Sequence, residues 1–440
     1  MVLRLQGRMR QVIGVLGALV LLSIAVRVAR AESLTEAWKL ALEHDSAYAA
    51  VESEHASATA ELAAARGARW PSLEVSGSET QLNDAPFLDI NTPAGELISP
   101  KLWNHDRIGM AAAQVALPLY TGGQISAGIH AAQHQVAAAA ALETGAAQDL
   151  RLAVTEAYIG VLRSQQTLAV AEANVSGLKA HLADVQVMYD KEAVARNDLL
   201  AAQVASANAE QQRLIGANAV RIAAAGYNRL VGQPLERVPE LEDHLPPAEL
   251  ADSVTLEALI AQAVSNRPEL QARATQALAF EARAEAERGK NGPQVAVTAG
   301  YNHLDNTFLN RQDFASIALG VHWTLFDGGQ VAQHAAALRS AARASQQQLA
   351  DRESRVALEV QEAWLDRQAA VARLAASHEA VEQAEENLRI ARELYRSGLG
   401  TNTQVLDAQT LQATSTSNRD NAELDVLLAG YRLQHAVGGL

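Results

Sequence analysis

The chain has 440 residues, of which 49% are hydrophobic and only 4% aromatic, and its formal net charge at pH 7 is −14. It contains no cysteine, which excludes disulfides, thiolate metal sites, a cysteine nucleophile and a lipid-modified N-terminal cysteine. The acidic balance argues against nucleic acid as a partner, because phosphates repel such a surface.

The N-terminus has the pattern of a secretory signal peptide over residues 1–31. Three arginines precede an apolar run from Val12 to Val28, and Ala29-Arg30-Ala31 has the small-x-small form of a cleavage site. A retained membrane anchor is the alternative, but the run is short for the ~20 residues that a spanning helix needs. Cleavage would remove five arginines and leave 31 basic against 50 acidic residues, a balance of −19.

After the signal peptide, the chain reads as two copies of one series of elements. The first copy, residues 32–232, has a helical stretch from Leu34 that Pro71 stops, two strands separated by a loop, a very long helix and a shorter helix. A proline-rich linker, residues 233–253, precedes the second copy, residues 254–440, which has the same order. The predicted ranges of the strands and of the helices after them are Ser72–Leu82, Arg107–Leu119, Gly122–Tyr189, Asp198–Val231, Pro293–Tyr301, Ala315–Leu325, Gly328–Tyr395 and Thr403–Val437.

The two long helices dominate the prediction. At ~1.5 Å rise per residue each would be roughly 100 Å long. Near its end the first carries a 3-4-3-4 apolar pattern from Leu168 to Tyr189, and the second repeats it 206 residues later, from Leu374 to Tyr395. This spacing is typical of coiled coils, and its alanine and serine positions allow helices to approach closely.

The strand ends predict a membrane boundary. Leu117–Gln124 and Trp323–Gln330 match each other, and both contain paired glycines, Gly122-Gly123 and Gly328-Gly329, that allow a strand to turn sharply into a helix. Pro118 suits a position where the strand no longer pairs with its neighbour. Aromatic residues near the strand ends suit a lipid interface, although a soluble sheet can also carry them.

The predicted fold class is mainly α with a membrane β part, in which long antiparallel coiled-coil helices accompany four strands per chain. Four strands cannot close, and open edges are not tolerated in lipid. Two copies would give eight strands and three would give twelve; we expect a homotrimer with a 12-stranded β-barrel and an α-helical tunnel.

This arrangement resembles the outer-membrane efflux protein family, the TolC-like outer membrane factors, over Leu34–Leu440. The resemblance rests on the two glycine junctions and on the helix tip that starts Tyr395-Arg-Ser-Gly398. It implies a channel of a tripartite efflux or type I secretion system, located in the outer membrane of a Gram-negative bacterium and extending into the periplasm. It also implies contact with outer-membrane lipid, a periplasmic adaptor (a membrane fusion protein) and an inner-membrane transporter that supplies the energy.

The same resemblance suggests site residues at the two helix tips. Family members place acidic residues of the pore constriction nine and twelve positions after the tip tyrosine. In the second tip, the ninth and twelfth positions after Tyr395 hold Gln404 and Asp407. In the first tip, the ninth position after Tyr189 holds Asp198. Family members carry an arginine five positions after the tip tyrosine, and Gly400 stands at that position here. Asp407, with Gln404 and Asp198, is therefore the candidate constriction, unless Asp407 only caps or solvates its helix.

The tips also provide candidate adaptor contacts. We expect Tyr189, Glu192 and Arg196 to serve one groove, which Lys191 also flanks. Tyr395, Gly398 and Gly400 are expected to serve the other, which is flanked by Arg396 and Asn402. Because Glu192 stands where the second tip has glycine, the tips are expected to be chemically distinct.

No catalytic arrangement, cofactor motif or metal site is predicted. The pair His130 and His134 lacks a third ligand and the glutamate of a metalloprotease helix. The alternative to a channel is a secreted or periplasmic helical scaffold or adhesin whose strands form only a small sheet. The cargo cannot be read from the sequence.

Overall fold

The computed structural model describes residues 31–84, 89–95, 97–99, 107–248, 254–305 and 311–440. The predicted signal peptide lies outside the described residues except for Ala31. So does part of the predicted linker, residues 249–253.

The described residues form eight helices and six strands. In chain order the elements are α1 Leu34–His44, α2 Ser46–Gly67, β1 Ser72–Gln81, β2 Ile90–Asn91, β3 Leu97–Ile98, β4 Arg107–Thr121, α3 Gln124–Asp190, α4 Arg196–Leu230, α5 Leu256–Asn266, α6 Pro268–Gly289, β5 Gln294–Asp305, β6 Asp313–His322, α7 Gln330–Arg396 and α8 Asn402–Ala436.

The long helices α3 and α7 each have 67 residues, and α4 and α8 each have 35. Their ends lie within two residues of the predicted ones, because glycine turns and the apolar spacing are local signals. Of the described helices, none is both long and apolar enough to cross a membrane.

The helical stretch predicted before the strands is divided into two helices in each half of the chain. At Asp45 the backbone is extended, with φ −73° and ψ 119°, and its carboxylate accepts a hydrogen bond from the Tyr48 N–H at 2.9 Å. Asp45 therefore ends one helix and caps the next. In the second half Pro268 begins α6, and the preceding Arg267 is extended, as residues before proline prefer.

Four strands form one antiparallel sheet in the order β1-β4-β5-β6. The first hairpin pairs Ser72 with Ala116, and the second pairs Gln294 with His322. Between the hairpins, β4 pairs with β5, and the register shifts between Pro118 and Tyr120. The described part of the long loop after β1 contains a short pair, β2 and β3, that the sequence did not predict.

The register separates the sheet into two chemically different faces, because directly paired residues share a face. On one face three neighbouring rows are largely apolar: Leu73, Val115, Ala299 and Ile317 stand in one, Val297 and Leu319 in the row on one side, and Val75 in the row on the other. Towards the hairpin loops the same face becomes polar, with His303 opposite Asp313. The opposite face carries Glu74, Gln114, Gly300 and Ser316 in one row. The apolar face is also exposed: Ile317 retains 83% of its accessible surface and Val75 retains 74%.

The chain divides into two compact units. The first comprises Met1–Ala49, Ala146–Asn266 and Val356–Leu440. Its described residues contain two main apolar cores beside a minor cluster of Val175, Leu178 and Ala209. The larger core is built around Tyr158, Tyr227 and Trp38, with α1, α3, α4 and α8 contributing. The smaller core lies at the helix tips and includes Val185, Leu388 and Val405 from the predicted coiled-coil helices.

The second unit comprises Ala50–Gly145 and Arg267–Arg355, and it contains the sheet. Its helices pack mainly through alanine, with Ala279, Ala284 and Ala335 each at most 1% exposed. Small side chains let these helices approach closely.

Candidate functional site

The glycine pairs of the two strand-to-helix junctions share one backbone conformation. Strand β4 reaches Thr121, directly before the first pair, whereas five residues separate the end of β6 from the second pair. Gly122 and Gly123 have φ values of 61° and 86°, and Gly328 and Gly329 have 69° and 83°. These left-handed values favour glycine. Each pair stands between the end of a sheet strand and the first residue of a long helix, and Pro118 lies at the register shift of β4.

The residue before each glycine pair caps the helix that follows. The Thr121 hydroxyl accepts a hydrogen bond from the Ile125 N–H at 3.3 Å. The Asp327 carboxylate accepts two, from the N–H groups of Val331 and Gly329, both at 2.8 Å. These bonds hold the pKa of Asp327 below its ordinary value, because they favour the charged carboxylate.

The first junction is tightly packed, whereas the second is open within one chain. A Cβ at Gly122 would overlap the Gly289 carbonyl oxygen, and a Cβ at Gly292 would lie 2.9 Å from the Gly122 Cα. The end of α6 therefore packs directly on the first junction. A Cβ at Gly328 would meet nothing within 4 Å of it among the described residues, so the second junction has an unfilled side.

The two helix tips share one backbone turn. Glu192 and Gly398 both have positive φ, 61° and 74°. In the first tip the Ala193 N–H donates to the Met188 carbonyl at 2.9 Å, and in the second the Leu399 N–H donates to Leu394 at 2.9 Å. This is the 6→1 hydrogen bond of a Schellman turn. The tips therefore differ in side-chain chemistry but not in backbone conformation.

The candidate adaptor residues differ in exposure. Glu192, Arg196 and Gly398 are exposed, and Tyr189 is half-buried. Gly400 packs closely, since a Cβ there would lie 3.0 Å from the Leu394 Cβ and from the Tyr395 backbone nitrogen. An arginine at this position would therefore disturb the turn.

Tyr395 is 6% exposed and belongs to the core of the tips. Its hydroxyl has no hydrogen-bond partner in the described part of the chain. Burial raises the pKa of Tyr395, and the nearby carboxylates of Asp198 and Asp184 raise it further. The side chain is therefore held neutral.

The three candidate constriction residues have separate surroundings. Asp407 is exposed on the face of α8 opposite the buried Val405 and Ala408. Gln404 is also exposed, but its amide oxygen accepts a hydrogen bond from the Thr401 N–H at 2.9 Å, as part of a capping box that starts α8. Asp198 is half-buried in the first turn of α4.

A model of the family described as outer membrane efflux protein matches residues 37–233 and 259–439. The chain belongs to this family. The match includes both junctions and both tips, so the predicted family resemblance is confirmed.

Individual relatives of this efflux protein agree with the assignment. Outer membrane efflux protein BepC of Brucella suis is 25% identical over 342 residues, which cover 75% of this chain and 72% of BepC. A crystal structure of VceC from Vibrio cholerae has a TM-score of 0.77 at 20% identity, covering 92% of this chain and 96% of that one. A CusC structure has a TM-score of 0.78 at 15% identity and covers 92% of each chain. These structures share the fold of this efflux protein.

Family membership has direct consequences. This efflux protein is a channel component and not an enzyme, and it is located in the outer membrane of a Gram-negative bacterium with a part that extends into the periplasm. In the described ranges, no group of three histidine, aspartate or glutamate side chains is arranged to hold a metal ion.

Sequence reasoning missed a polar link inside the tips of this efflux protein. The His181 ring Nε2 lies 2.7 Å from the Asn402 Oδ1, and the Asn402 amide donates to the Asp198 carbonyl at 3.0 Å. This link ties α3, α8 and α4 together. Asn402 is only 2% exposed, so the expectation that it flanks an adaptor groove is wrong. An exposed ion pair at 3.0 Å between Arg396 and Asp184 joins α7 to α3 nearby.

A second missed network surrounds Glu32, the residue after the predicted cleavage site. Its carboxylate accepts a hydrogen bond from Tyr227 and lies 3.4 Å from the Arg237 guanidinium. The Tyr158 hydroxyl donates towards the Glu32 carbonyl at 2.7 Å and the Glu242 carbonyl at 3.0 Å. The start of the predicted mature chain is thereby held against the segment after α4.

Proposed function

We propose that this protein is the outer-membrane channel of a tripartite efflux or type I secretion system. Three copies join their sheets into one 12-stranded β-barrel, and their long helices form a periplasmic tunnel. The channel is passive, docks to a periplasmic adaptor, and receives its cargo from an inner-membrane transporter.

The observation that carries the proposal is the two-faced sheet. Its apolar face is exposed, with Ile317, Leu319 and Val321 retaining 83%, 67% and 68% of their accessible surface. A soluble protein would bury such a face to gain roughly 25 cal/mol per Å². In a lipid bilayer the face is already solvated by hydrocarbon, and the polar face with Glu74 and Gln114 lines a water-filled interior.

The edges of the sheet support joining of copies. In the described part of the chain, β1 and β6 each pair on one side only. An unpaired edge leaves backbone N–H and C=O groups without partners, which lipid does not tolerate. Pairing β6 of one copy with β1 of the next satisfies both edges.

The glycine junctions support the same pairing. Within the chain, Gly122 packs against the end of α6. Gly328 occupies the corresponding position in the second half, and the end of α2 corresponds to the end of α6. A neighbouring copy would bring its α2 end to Gly328 if β6 and β1 pair as β4 and β5 do.

Equal element lengths support two structural repeats, residues 32–232 and 254–440, joined by the linker 233–253. The helices have 11, 22, 67 and 35 residues in each half, in that order. With two hairpins per copy, three copies supply twelve strands. Two copies would supply eight, the smallest number found in membrane barrels; the family resemblance favours three.

At the helix tips we propose a constriction and an adaptor surface. Asp407 is exposed and has no ion pair among the described residues, so three copies would form a ring of three carboxylates with Asp198 nearby. Gln404 stands one turn before it on the same exposed face. The exposed Glu192 and Arg196 at one tip and Arg396 at the other give an adaptor two chemically different grooves.

The proposal is tested with the full chain expressed in a Gram-negative host. We expect an outer-membrane protein that migrates as a trimer in unheated sodium dodecyl sulfate gels and as a monomer after boiling. The purified trimer should conduct ions across planar bilayers without an energy source. A periplasmic monomer that produces no conductance would refute the channel and favour the scaffold.

A further inference from the structure

The beginning of α3 and the end of α2 enclose a basic hollow of about 580 Å³. Its lining residues are mostly cationic or polar: Arg66, Arg69, Trp70, Ile129, His130 and Gln133. We call it the Arg66–Arg69 hollow. Two guanidinium groups and an imidazole thus converge on one space in a chain whose net charge is −14.

The two arginines carry uncompensated charge. Within the described part of the chain, neither guanidinium has an ion pair or a hydrogen bond to another side chain. Two other arginines of this unit are instead paired with acid: Arg267 and Arg352 both bind the Glu269 carboxylate, at 2.8 and 3.1 Å. Among the described residues of one chain, the charges of Arg66 and Arg69 therefore have no partner and can attract an anionic ligand.

The position of Arg69 indicates which ligand. Arg69 also lines a neighbouring hollow of about 340 Å³ together with Leu119 and Tyr120. Tyr120 pairs with Val295, which places it in the last row of the apolar face. Trp70, the residue after Arg69 in the chain, is 73% exposed. The cations therefore adjoin the end of the face that contacts hydrocarbon under the proposed function.

We propose that the Arg66–Arg69 hollow binds the phosphate of an anionic phospholipid in the periplasmic leaflet of the outer membrane. Guanidinium groups bind phosphate oxygens with paired, charge-assisted hydrogen bonds. Trp70 and Tyr120 suit the interface where headgroups meet acyl chains, and the acyl chains lie along the apolar face. The inference rests on the proposed membrane position of the sheet.

A lipid fits the surroundings better than free phosphate does. Free phosphate needs only the cations, whereas a phospholipid also uses Leu119 and Tyr120, which are 57% and 54% exposed. Covering these side chains gives the lipid an apolar contribution that an inorganic ion lacks. Trp70 lies just after the end of α2, which the proposed joint brings towards Gly328 of the next copy.

The test counts lipids bound to the purified full-length oligomer by native mass spectrometry. Dioleoyl phosphatidylglycerol is added to the parent protein and to Arg66→Gln/Arg69→Gln. The matched control is Arg288→Gln/Lys290→Gln, which removes two charges from the corresponding turn at the end of α6. We expect the first variant to lose about tenfold or more in affinity, since hydrogen bonds to charged groups are strong, and the control to bind like the parent.

Three results would overturn the site. They are equal losses in both variants, which would indicate general charge attraction; equal binding of dioleoyl phosphatidylcholine by the parent; and displacement of the lipid by millimolar inorganic phosphate. Planar-bilayer conductance is measured in parallel. If the first variant conducts but binds lipid like the parent, only this inference fails. If the parent forms neither trimer nor channel, the proposed function fails as well.

Discussion

The proposed joint between copies can be tested by a cysteine pair, because the chain contains no cysteine of its own. We predict that Thr80→Cys and Ala318→Cys in one chain will form a disulfide between neighbouring copies. Thr80 lies on β1 and Ala318 on β6, the two edge strands of the sheet.

The pairing of these two residues follows from the observed register. Within the chain, Ala112 of β4 pairs with Asn302 of β5. The second hairpin reproduces the first with offsets of 222 for β1 to β5 and 206 for β4 to β6, since Ser72 pairs with Ala116 and Gln294 with His322. Applying the same offsets to the β4–β5 joint places Ala318 opposite Thr80 of the next copy.

The distances decide the outcome. Directly opposed residues of antiparallel strands have Cα atoms about 4.5–5.5 Å apart. A disulfide requires a Cα separation of roughly 4.4–6.8 Å. The control pair Ser76→Cys and Ala318→Cys is four residues out of register, which adds about 13 Å along the strand. The first pair should therefore react and the control pair should not.

The assay is mild oxidation of isolated outer membranes, followed by boiling and a non-reducing gel. We expect covalent dimers and trimers for the Thr80 pair and monomers for the Ser76 pair and for each single variant. Cross-linking of the Ser76 pair instead would disprove the register. A fast-migrating monomer with an internal disulfide would show that the four strands close within one subunit and would refute the oligomeric barrel.

Three further predictions concern the helices. Glu192→Gly should raise the stability of the tip by about 0.5–1 kcal/mol, because the left-handed φ of 61° strains a residue with a Cβ. Gly398→Ala should lower the stability of the other tip by a similar amount. Both changes are measured as shifts in the thermal midpoint of the trimer. Burial raises the pKa of Tyr158 from 10.0 to about 12, so its neutral form stabilises the fold below pH 10 and this contribution is lost as pH rises through 12. Tyr158→Phe should therefore be less stable than the parent by roughly 1 kcal/mol at pH 8, because the hydroxyl hydrogen bonds are lost. Between pH 10 and 12 the variant should lose less stability than the parent, which circular dichroism will detect. Equal losses of stability in this alkaline range would contradict the prediction. Asp407→Ala should lower cation selectivity and divalent block in planar bilayers, because the ring loses three carboxylates; unchanged selectivity would return Asp407 to a solvated helix position.

Much of the fold followed from local sequence signals. The ends of α3 and α7 could be predicted within two residues because glycine turns and the coiled-coil spacing act on neighbours in the chain. The sheet strands followed from alternation and from Pro71 and Pro293, which stop the preceding helical stretches. The divisions at Asp45 and Pro268 depended on single capping and proline residues within alanine-rich sequence, and the prediction passed over them.

The tip residues show where local reasoning ends. Tyr395 and Gly398 could be placed at a helix end from sequence, but not the burial of the Tyr395 hydroxyl or of Asn402. Asn402 is separated from its partner His181 by 221 residues. No periodic pattern connects residues so distant, because their proximity depends on how four helices pack.

By itself, therefore, the sequence determined the lengths of the helices, the alternation of the strands and the positions of the glycine junctions, since each depends on backbone preferences within a few residues. Only the tertiary structure decided which apolar rows share a face, which strands remain unpaired, and that Gly122 but not Gly328 is packed within the chain. Those features arise from register and packing between segments far apart in sequence, where side-chain contacts rather than local propensity determine the free energy.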